Sequence, residues 1–113
     1  MMSVIDHIAI LVDDLEVAEE WYTGKLAGKV TFRDSKYIRM TVSNTNIALI
    51  DKNHYPYAHF GILVEKKEDL PLEMGEVVYH RDGTTGVYVK DPFGNYLEYI
   101  CYCDEEKEVF LSD

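Results

Sequence analysis

The sequence predicts an α+β fold built from two similar modules in tandem, and three observations support this prediction. The segment DHIAILV at 6–12 returns 52 positions later as AHFGILV at 58–64. A stretch with helical periodicity follows the first copy. Short runs rich in β-branched and aromatic residues, separated by turn sequences, occupy most of the remaining chain.

The first module, about residues 3–52, is predicted to form a strand, a helix and three more strands. Residues 4–12 are a mostly apolar strand. Asp13 with Glu16 three residues later forms a capping pattern that predicts the start of the helix, and Gly28 is expected to end it. The apolar face of this helix comprises Leu15, Ala18, Tyr22 and Leu26, with Trp21 beside them. The three later strands are predicted at about 29–34, 37–42 and 46–51.

The second module, about residues 56–103, is a shortened repeat of the first. Pro71 leaves room for only a turn or two of helix after the first strand of this module. The sequence DPFGN at 91–95 is a strong turn signal and predicts a hairpin of the last two strands. The tail 104–113 is acidic and is expected to be a solvated segment or short helix. The strands are predicted at about 57–64, 76–81, 86–90 and 96–103.

Length and composition indicate a single packed domain. A chain of 113 residues buries roughly two thirds of its unfolded surface. No apolar run is long enough to span a bilayer, and the first residues lack the pattern of a signal peptide. We therefore expect a cytoplasmic protein. Cys101 and Cys103 lie two apart on a predicted strand, a poor geometry for a disulfide, and are interpreted as free thiols.

The charge balance limits the classes of partner. The net charge is −10, from 21 acidic and 11 basic residues. No basic cluster exists that could follow a phosphate backbone, so nucleic acid is not expected as a partner. Acidity of this size favours solubility and would also attract a cationic small molecule.

Three strand residues suggest a metal site. His7 and His59 occupy the same position in the two copies of the repeat. Because strand side chains alternate in direction, equivalent positions are expected on equivalent faces of the two strands. Glu98 is the single carboxylate in the last predicted strand. If these faces line one concave sheet, two imidazoles and a carboxylate form a triad that suits Fe(II), Mn(II), Ni(II) or Zn(II).

Simpler interpretations stay open for each of these residues. A single strand histidine is more often a hydrogen-bonded core or surface residue than a ligand, although its repetition favours the ligand. An unpaired carboxylate is costly to bury, so Glu98 requires a cation or a basic neighbour. Arg39 and Arg81 are the candidate neighbours.

The module order, the two strand histidines, and the runs HRDG at 80–83 and YVKDPFGNYLE at 88–98 resemble the vicinal oxygen chelate superfamily. This superfamily includes glyoxalase I, bleomycin resistance proteins, extradiol dioxygenases and fosfomycin-modifying thiol transferases. The resemblance covers about residues 3–103 and implies paired βαβββ modules that form a cup-shaped mixed sheet around a divalent metal. It also implies a homodimer, in which His7 of one subunit meets His59 and Glu98 of the other.

Departures from the family pattern distinguish its branches. Glyoxalase I has a fourth ligand, a glutamate on the fourth strand, and the corresponding residue is Ala48. The three-ligand pattern is similar to extradiol dioxygenases and fosfomycin transferases. For the transferase, Ala9 stands where a threonine is expected, and a basic cluster for the phosphonate is missing.

Two further residues are candidates for catalysis. Both three-ligand branches have a tyrosine ten residues before the glutamate, here Tyr88, which could donate a proton or hydrogen bond to a bound oxygen. Tyr88 could equally be a strand tyrosine packed on the sheet. His80 lies near the place of a second-sphere histidine in extradiol dioxygenases and could act as a general acid or base, or be a rim histidine at a turn.

These observations favour a metal-dependent enzyme of the dioxygenase or lyase type that acts on a small molecule with vicinal oxygens. The first alternative is a metal-free protein that sequesters a cationic drug, like the bleomycin resistance proteins; nine tyrosines and the net charge of −10 fit it. The second alternative is a partner-binding module without chemistry. The sequence names neither the substrate nor the physiological metal.

Overall fold

A computed structural model describes residues 4–102 of the chain. The predicted tail 104–113 and Cys103 lie outside the described residues. The helix and strand ends agree with the prediction to within two residues. None of the described helices has the length and hydropathy needed to cross a membrane. The elements are β1 (Val4–Val12), α1 (Leu15–Leu26), β2 (Lys29–Arg33), β3 (Tyr37–Val42), β4 (Thr45–Asp51), β5 (His59–Val64), β6 (Glu76–Tyr79), β7 (Thr85–Lys90) and β8 (Tyr96–Cys101).

The described strands form a mixed sheet, in which the order is β2-β3-β4-β1 in the first half of the chain and β5-β8-β7-β6 in the second. Strand β1 runs parallel to β4, whereas β3 is antiparallel to β2 and β4, and β7 is antiparallel to β6 and β8. This sheet with its helix confirms the predicted α+β class. The described chain divides into two compact units, residues 7–59, and residues 4–6 together with 60–102.

In the unit of residues 7–59, helix α1 packs on one face of β3 and β4. Leu26 and Trp21, at the edge of the predicted apolar face, are 45% and 51% exposed. The other three residues of the predicted apolar face contact the core, which confirms this part of the prediction. The contact comprises Leu15, Ala18 and Tyr22 from α1, with the buried Ile38, Met40 and Leu49 from the strands.

The two ends of α1 differ from the prediction by one residue each. The N-cap is Asp14 rather than Asp13, because the Oδ1 atom of Asp14 accepts a hydrogen bond of 3.1 Å from the backbone N–H of Val17. Ala27, with a positive φ of 56°, ends the helix in place of Gly28. At the N-terminus the two neighbouring aspartates offer the same carboxylate, so the spacing alone does not choose between them.

In the other unit, two short 3₁₀ helices, Lys67–Asp69 and Leu72–Met74, replace a full helix between β5 and β6. Pro71 lies between them, which confirms the predicted shortening. Leu70 is buried there, and its side chain packs against the sheet. The sheet residues in this core are Val87, Val89 and Cys101.

A tight turn joins β7 and β8 in the predicted hairpin. The Asp91 carboxylate accepts hydrogen bonds from the backbone N–H groups of Asn95 and Phe93, each 2.8 Å long. These bonds, that of Asn95 foremost, hold the pKa of Asp91 below its ordinary value. The resulting register places Tyr88 directly opposite Glu98.

Cys101 ends β8 and is disulfide-bonded, so its interpretation as a free thiol is wrong. That interpretation used the geometry of two cysteines on one strand. The strand β8 ends at Cys101, and Cys103 lies outside the described residues.

Candidate metal centre

The two repeated histidines meet within one chain. His7 lies in β1 and is buried, and His59 begins β5 and is half-buried. Their Nε2 atoms are 3.2 Å apart and their ring planes are nearly perpendicular, at 87°. Without a cation, one imidazole must donate and the other accept at this distance. The resemblance implied that His7 would come from a second subunit, but one chain is sufficient to form this pair.

Small residues follow His7 on its face of the sheet. Ala9 is the next residue on that face of β1, and it is the partner of Ala48 in the parallel pairing with β4. Both alanines are buried. The place of the fourth glyoxalase ligand therefore presents a methyl group. The surrounding apolar cluster adds Tyr37 and Ile50, with Leu11, Phe32 and Tyr55 packed against it.

Glu98 lies in β8 and is only 2% exposed. Its Oε2 atom lies 2.5 Å from the Nε2 atom of His80, whose side chain is 15% exposed. The sequence predicts a basic neighbour for this carboxylate, Arg39 or Arg81, but this short contact is made by a histidine. The basic neighbour of Glu98 at this atom is therefore His80.

Tyr88 belongs to the same group of side chains. It is half-buried and lies opposite Glu98 in the pairing of β7 with β8, so both side chains project from the same face. Its ring centroid is 6.2 Å from that of His80. The two candidates for catalysis thus lie next to each other and next to the buried carboxylate.

Two of the three predicted ligands, His7 and His59, lie next to each other in the unit of residues 7–59. The third, Glu98, belongs to the other unit. Metal binding by these three residues stays a prediction. His80 and Tyr88 do not belong to this ligand set.

The donor atoms fit a divalent transition metal. Two nitrogen ligands at about 2.1 Å from one ion lie about 3.0 Å apart at a right angle and about 3.4 Å apart at the tetrahedral angle. The separation of 3.2 Å between the two Nε2 atoms lies between these values. Two imidazoles with one carboxylate are also the donor set of facial-triad metal sites.

The chain matches the family model of the Glyoxalase/Bleomycin resistance protein/Dioxygenase superfamily over residues 4–99. It belongs to this superfamily. The match covers β1 to β8 almost completely, so both modules take part in it. The resemblance found in the sequence is thereby confirmed.

Solved structures share the fold at low sequence identity. Methylmalonyl-CoA epimerase from Mycobacterium tuberculosis has a TM-score of 0.71 at 16% identity, over 89% of each chain. A superfamily member from Vibrio splendidus 12B01 has a TM-score of 0.63 at 12% identity, over 88% of this chain and 99% of that one. BphC, a halotolerant catechol dioxygenase, has a TM-score of 0.60 at 19% identity, over 86% of this chain and 39% of that one. No curated protein sequence matches the chain.

Proposed function

We propose that this chain is a divalent-metal-dependent enzyme that acts on a small molecule with two adjacent oxygen atoms. In this proposal His7, His59 and Glu98 bind the metal. The observation that carries it is the pair of imidazoles, whose Nε2 atoms are 3.2 Å apart. Two of the three residues are buried, where a carboxylate without a cation or hydrogen bonds would be costly.

Two imidazoles and a carboxylate are suited to Fe(II), Mn(II), Ni(II) or Zn(II). The same ligands accept each of these ions, so the concentration of each metal in the cell decides which one binds. Three protein ligands leave two or three positions for water and substrate. A metal at this place supplies Lewis-acid polarisation of a substrate oxygen or the activation of oxygen.

Tyr88 is the proposed catalytic hydrogen-bond donor. Its position opposite Glu98 supports this role, because a substrate oxygen close to the carboxylate would lie within reach of the same face of β7. The Tyr88 side chain is half-buried and therefore partly accessible. The earlier prediction that His80 is a general acid or base stays a prediction.

The reaction that we propose is of the dioxygenase or lyase type. Ala48 offers no ligand atom beside Ala9, so a glyoxalase that needs a fourth protein ligand is disfavoured. Three ligands leave enough positions for a bidentate oxygen substrate together with a further small ligand. The structural similarity to the catechol dioxygenase, at a TM-score of 0.60, supports the fold. At 19% identity it does not indicate the substrate.

A metal-free binder of a cationic aromatic molecule is the second candidate. Tyr37 stacks at a tilt on Phe32, with centroids 5.4 Å apart, and meets Tyr55 edge-on at 6.4 Å. Such aromatic groups, in a chain with a net charge of −10, would attract a cation. This candidate requires no role for Glu98.

Metal content separates the two candidates. We expect about one divalent ion per chain after reconstitution and desalting, measured by elemental analysis. The ion should be lost in His59→Ala and Glu98→Ala, and retained in His54→Ala and Glu73→Ala, which change exposed residues of the same types. Substoichiometric metal that is insensitive to His59→Ala and Glu98→Ala would favour the metal-free binder.

A further inference from the structure

We propose that the groove between the end of β1 and helix α1 binds a small quaternary ammonium compound. The groove has a volume of about 410 Å³, within the range of about 300 to 1,000 Å³ that is typical of small-molecule sites. Its lining belongs to the unit of residues 7–59. The lining includes Val12, Asp13, Asp14, Val17, Trp21 and Tyr22.

The groove and His7 lie on opposite faces of the sheet. Val12, at the end of β1, packs against the core cluster that α1 covers. Ala9, two residues after His7 on the same face of β1, belongs to the cluster on the other face. Binding in the groove therefore depends neither on His7 nor on a metal.

Trp21 supplies the aromatic part of the groove. It is 51% exposed, whereas the neighbouring Tyr22 packs against the core. The two rings meet edge-on, with centroids 4.9 Å apart and planes at 74°. Because the core fixes Tyr22, this contact holds the indole ring beside the groove. Among aromatic side chains, tryptophan attracts cations most strongly.

Negative charge is concentrated around the groove. The segment 13–22 contains five carboxylates and no basic residue. Two of them form exposed ion pairs, Asp13 with Lys52 and Glu19 with Arg33. The other three carboxylates of this segment have no ion-pair partner among the described residues. A helix N-terminus carries only about half a positive charge, so the local potential favours a cation.

The polar side chains of the groove favour a cation that has no N–H groups. A primary ammonium carries three hydrogen-bond donors, and each requires an acceptor. The Oδ1 atom of Asp14 already accepts the N–H of Val17 over 3.1 Å. Asp13 is paired with Lys52. A quaternary ammonium requires no hydrogen bonds, and its methyl groups suit the apolar side chains of Val12 and Val17. Aromatic rings recognise such cations in other proteins.

The first test is a titration of the full chain with choline, at an ionic strength kept constant with sodium chloride. Trp21 is the single tryptophan of the chain, so its fluorescence reports directly on the groove. We expect a saturable change in emission. The uncharged analogue 3,3-dimethyl-1-butanol has the same shape and should bind about tenfold more weakly. A response to choline that does not saturate, or an equal affinity for the uncharged alcohol, would overturn the proposal.

The second test removes a charge from the groove without removing the helix cap. Asp14→Asn should weaken choline binding about threefold, and asparagine caps a helix as well as aspartate does. Glu16→Gln removes the same charge from the same helical turn, but Glu16 does not line the groove. This control should change the affinity much less, because salt screens a charge at a distance. Equal weakening in both variants would show a general attraction to the acidic surface and contradict a site in the groove.

The third test examines the Trp21 ring with a signal from the ligand. Saturation-transfer NMR detects contact between the protein and the methyl protons of choline. We expect Trp21→Leu to lose most of the transfer and Trp21→Phe to keep part of it. Leu72→Ala, which changes another exposed apolar residue, should keep all of it. Circular dichroism verifies that each variant is folded. Undiminished transfer in a folded Trp21→Leu would place choline elsewhere and overturn the proposal.

Discussion

Ala48 of β4 lies beside Ala9 of β1, one position along the face that carries His7, and both methyl groups are buried. A glutamate at position 48 would place a fourth ligand in this part of the sheet. The alanine instead removes a carboxylate that could move a substrate proton. This pair of small residues leads to the first prediction.

We expect the Fe(II)-loaded protein to bind catechol-like diols or similar vicinal oxygen compounds. We also expect no useful isomerisation of the methylglyoxal–glutathione adduct with any metal. Absorption changes on diol binding and a standard isomerase assay measure the two outcomes. Robust isomerase activity with Ni(II) or Zn(II), abolished by Glu98→Gln, would show that Ala48 has been misinterpreted.

Divalent metal should raise the thermal stability of the protein. A ligand that binds only the folded state at 100 times its dissociation constant stabilises that state by about 2.7 kcal/mol. For a domain of this size the melting temperature should rise by on the order of 10 °C. The rise should vanish in His7→Ala and persist in His54→Ala, as followed by circular dichroism. An equal rise in both variants would place the bound metal elsewhere.

The N-cap of α1 can be tested by comparing two neighbouring aspartates. Asp14→Ala should lower the free energy of unfolding by about 1 kcal/mol, because it removes the acceptor for the N–H of Val17. Asp13→Ala breaks an exposed ion pair with Lys52 and should cost clearly less than Asp14→Ala, because water screens such a pair. Urea denaturation measures both. Equal losses would contradict the assignment of the cap to Asp14.

The β7–β8 turn should respond to acid through Asp91. Hydrogen bonds from the Asn95 and Phe93 backbone lower the pKa of Asp91 in the folded state below the ordinary 3.8. The contribution of its carboxylate to stability is therefore complete above pH 3.8 and is lost as the pH falls below that value. The stability difference between wild type and Asp91→Asn should shrink over this range. Asp69→Asn, at an exposed position, serves as the control.

We expect the protein to be a homodimer. Val4 and Ile8 lie on the same face of β1 and are 57% and 41% exposed, a large apolar surface for a strand. Light scattering at micromolar concentration should give twice the chain mass. The double variant Val4→Lys and Ile8→Lys should be monomeric, whereas Leu72→Lys, at another exposed apolar position, should not. A monomeric wild type would contradict the prediction.

Much of the fold could be predicted from the sequence because the signals are local. Helical periodicity located α1, alternation located the strands, and the turn at 91–95 located the hairpin of β7 and β8. The repeat predicted that His7 and His59 lie together, since equivalent strand positions face the same way, and the lone carboxylate of β8 predicted Glu98 as a third ligand. Metal binding by that group stays a prediction.

The tertiary structure alone decided how the buried carboxylate is held. His80 and Glu98 are 18 residues apart, and their contact depends on the turn after β6 and on the register of β7 with β8. Gly86 is visible in the sequence as a glycine inside a strand, but its closeness to Oε2 depends on the rotamer of Glu98. Strand and helix signals arise from the neighbours of a residue along the chain, whereas a contact of this kind arises only when several elements have packed together. For that reason the sequence by itself determined the elements and the candidate ligands, and only the packed chain determined which neighbours orient them.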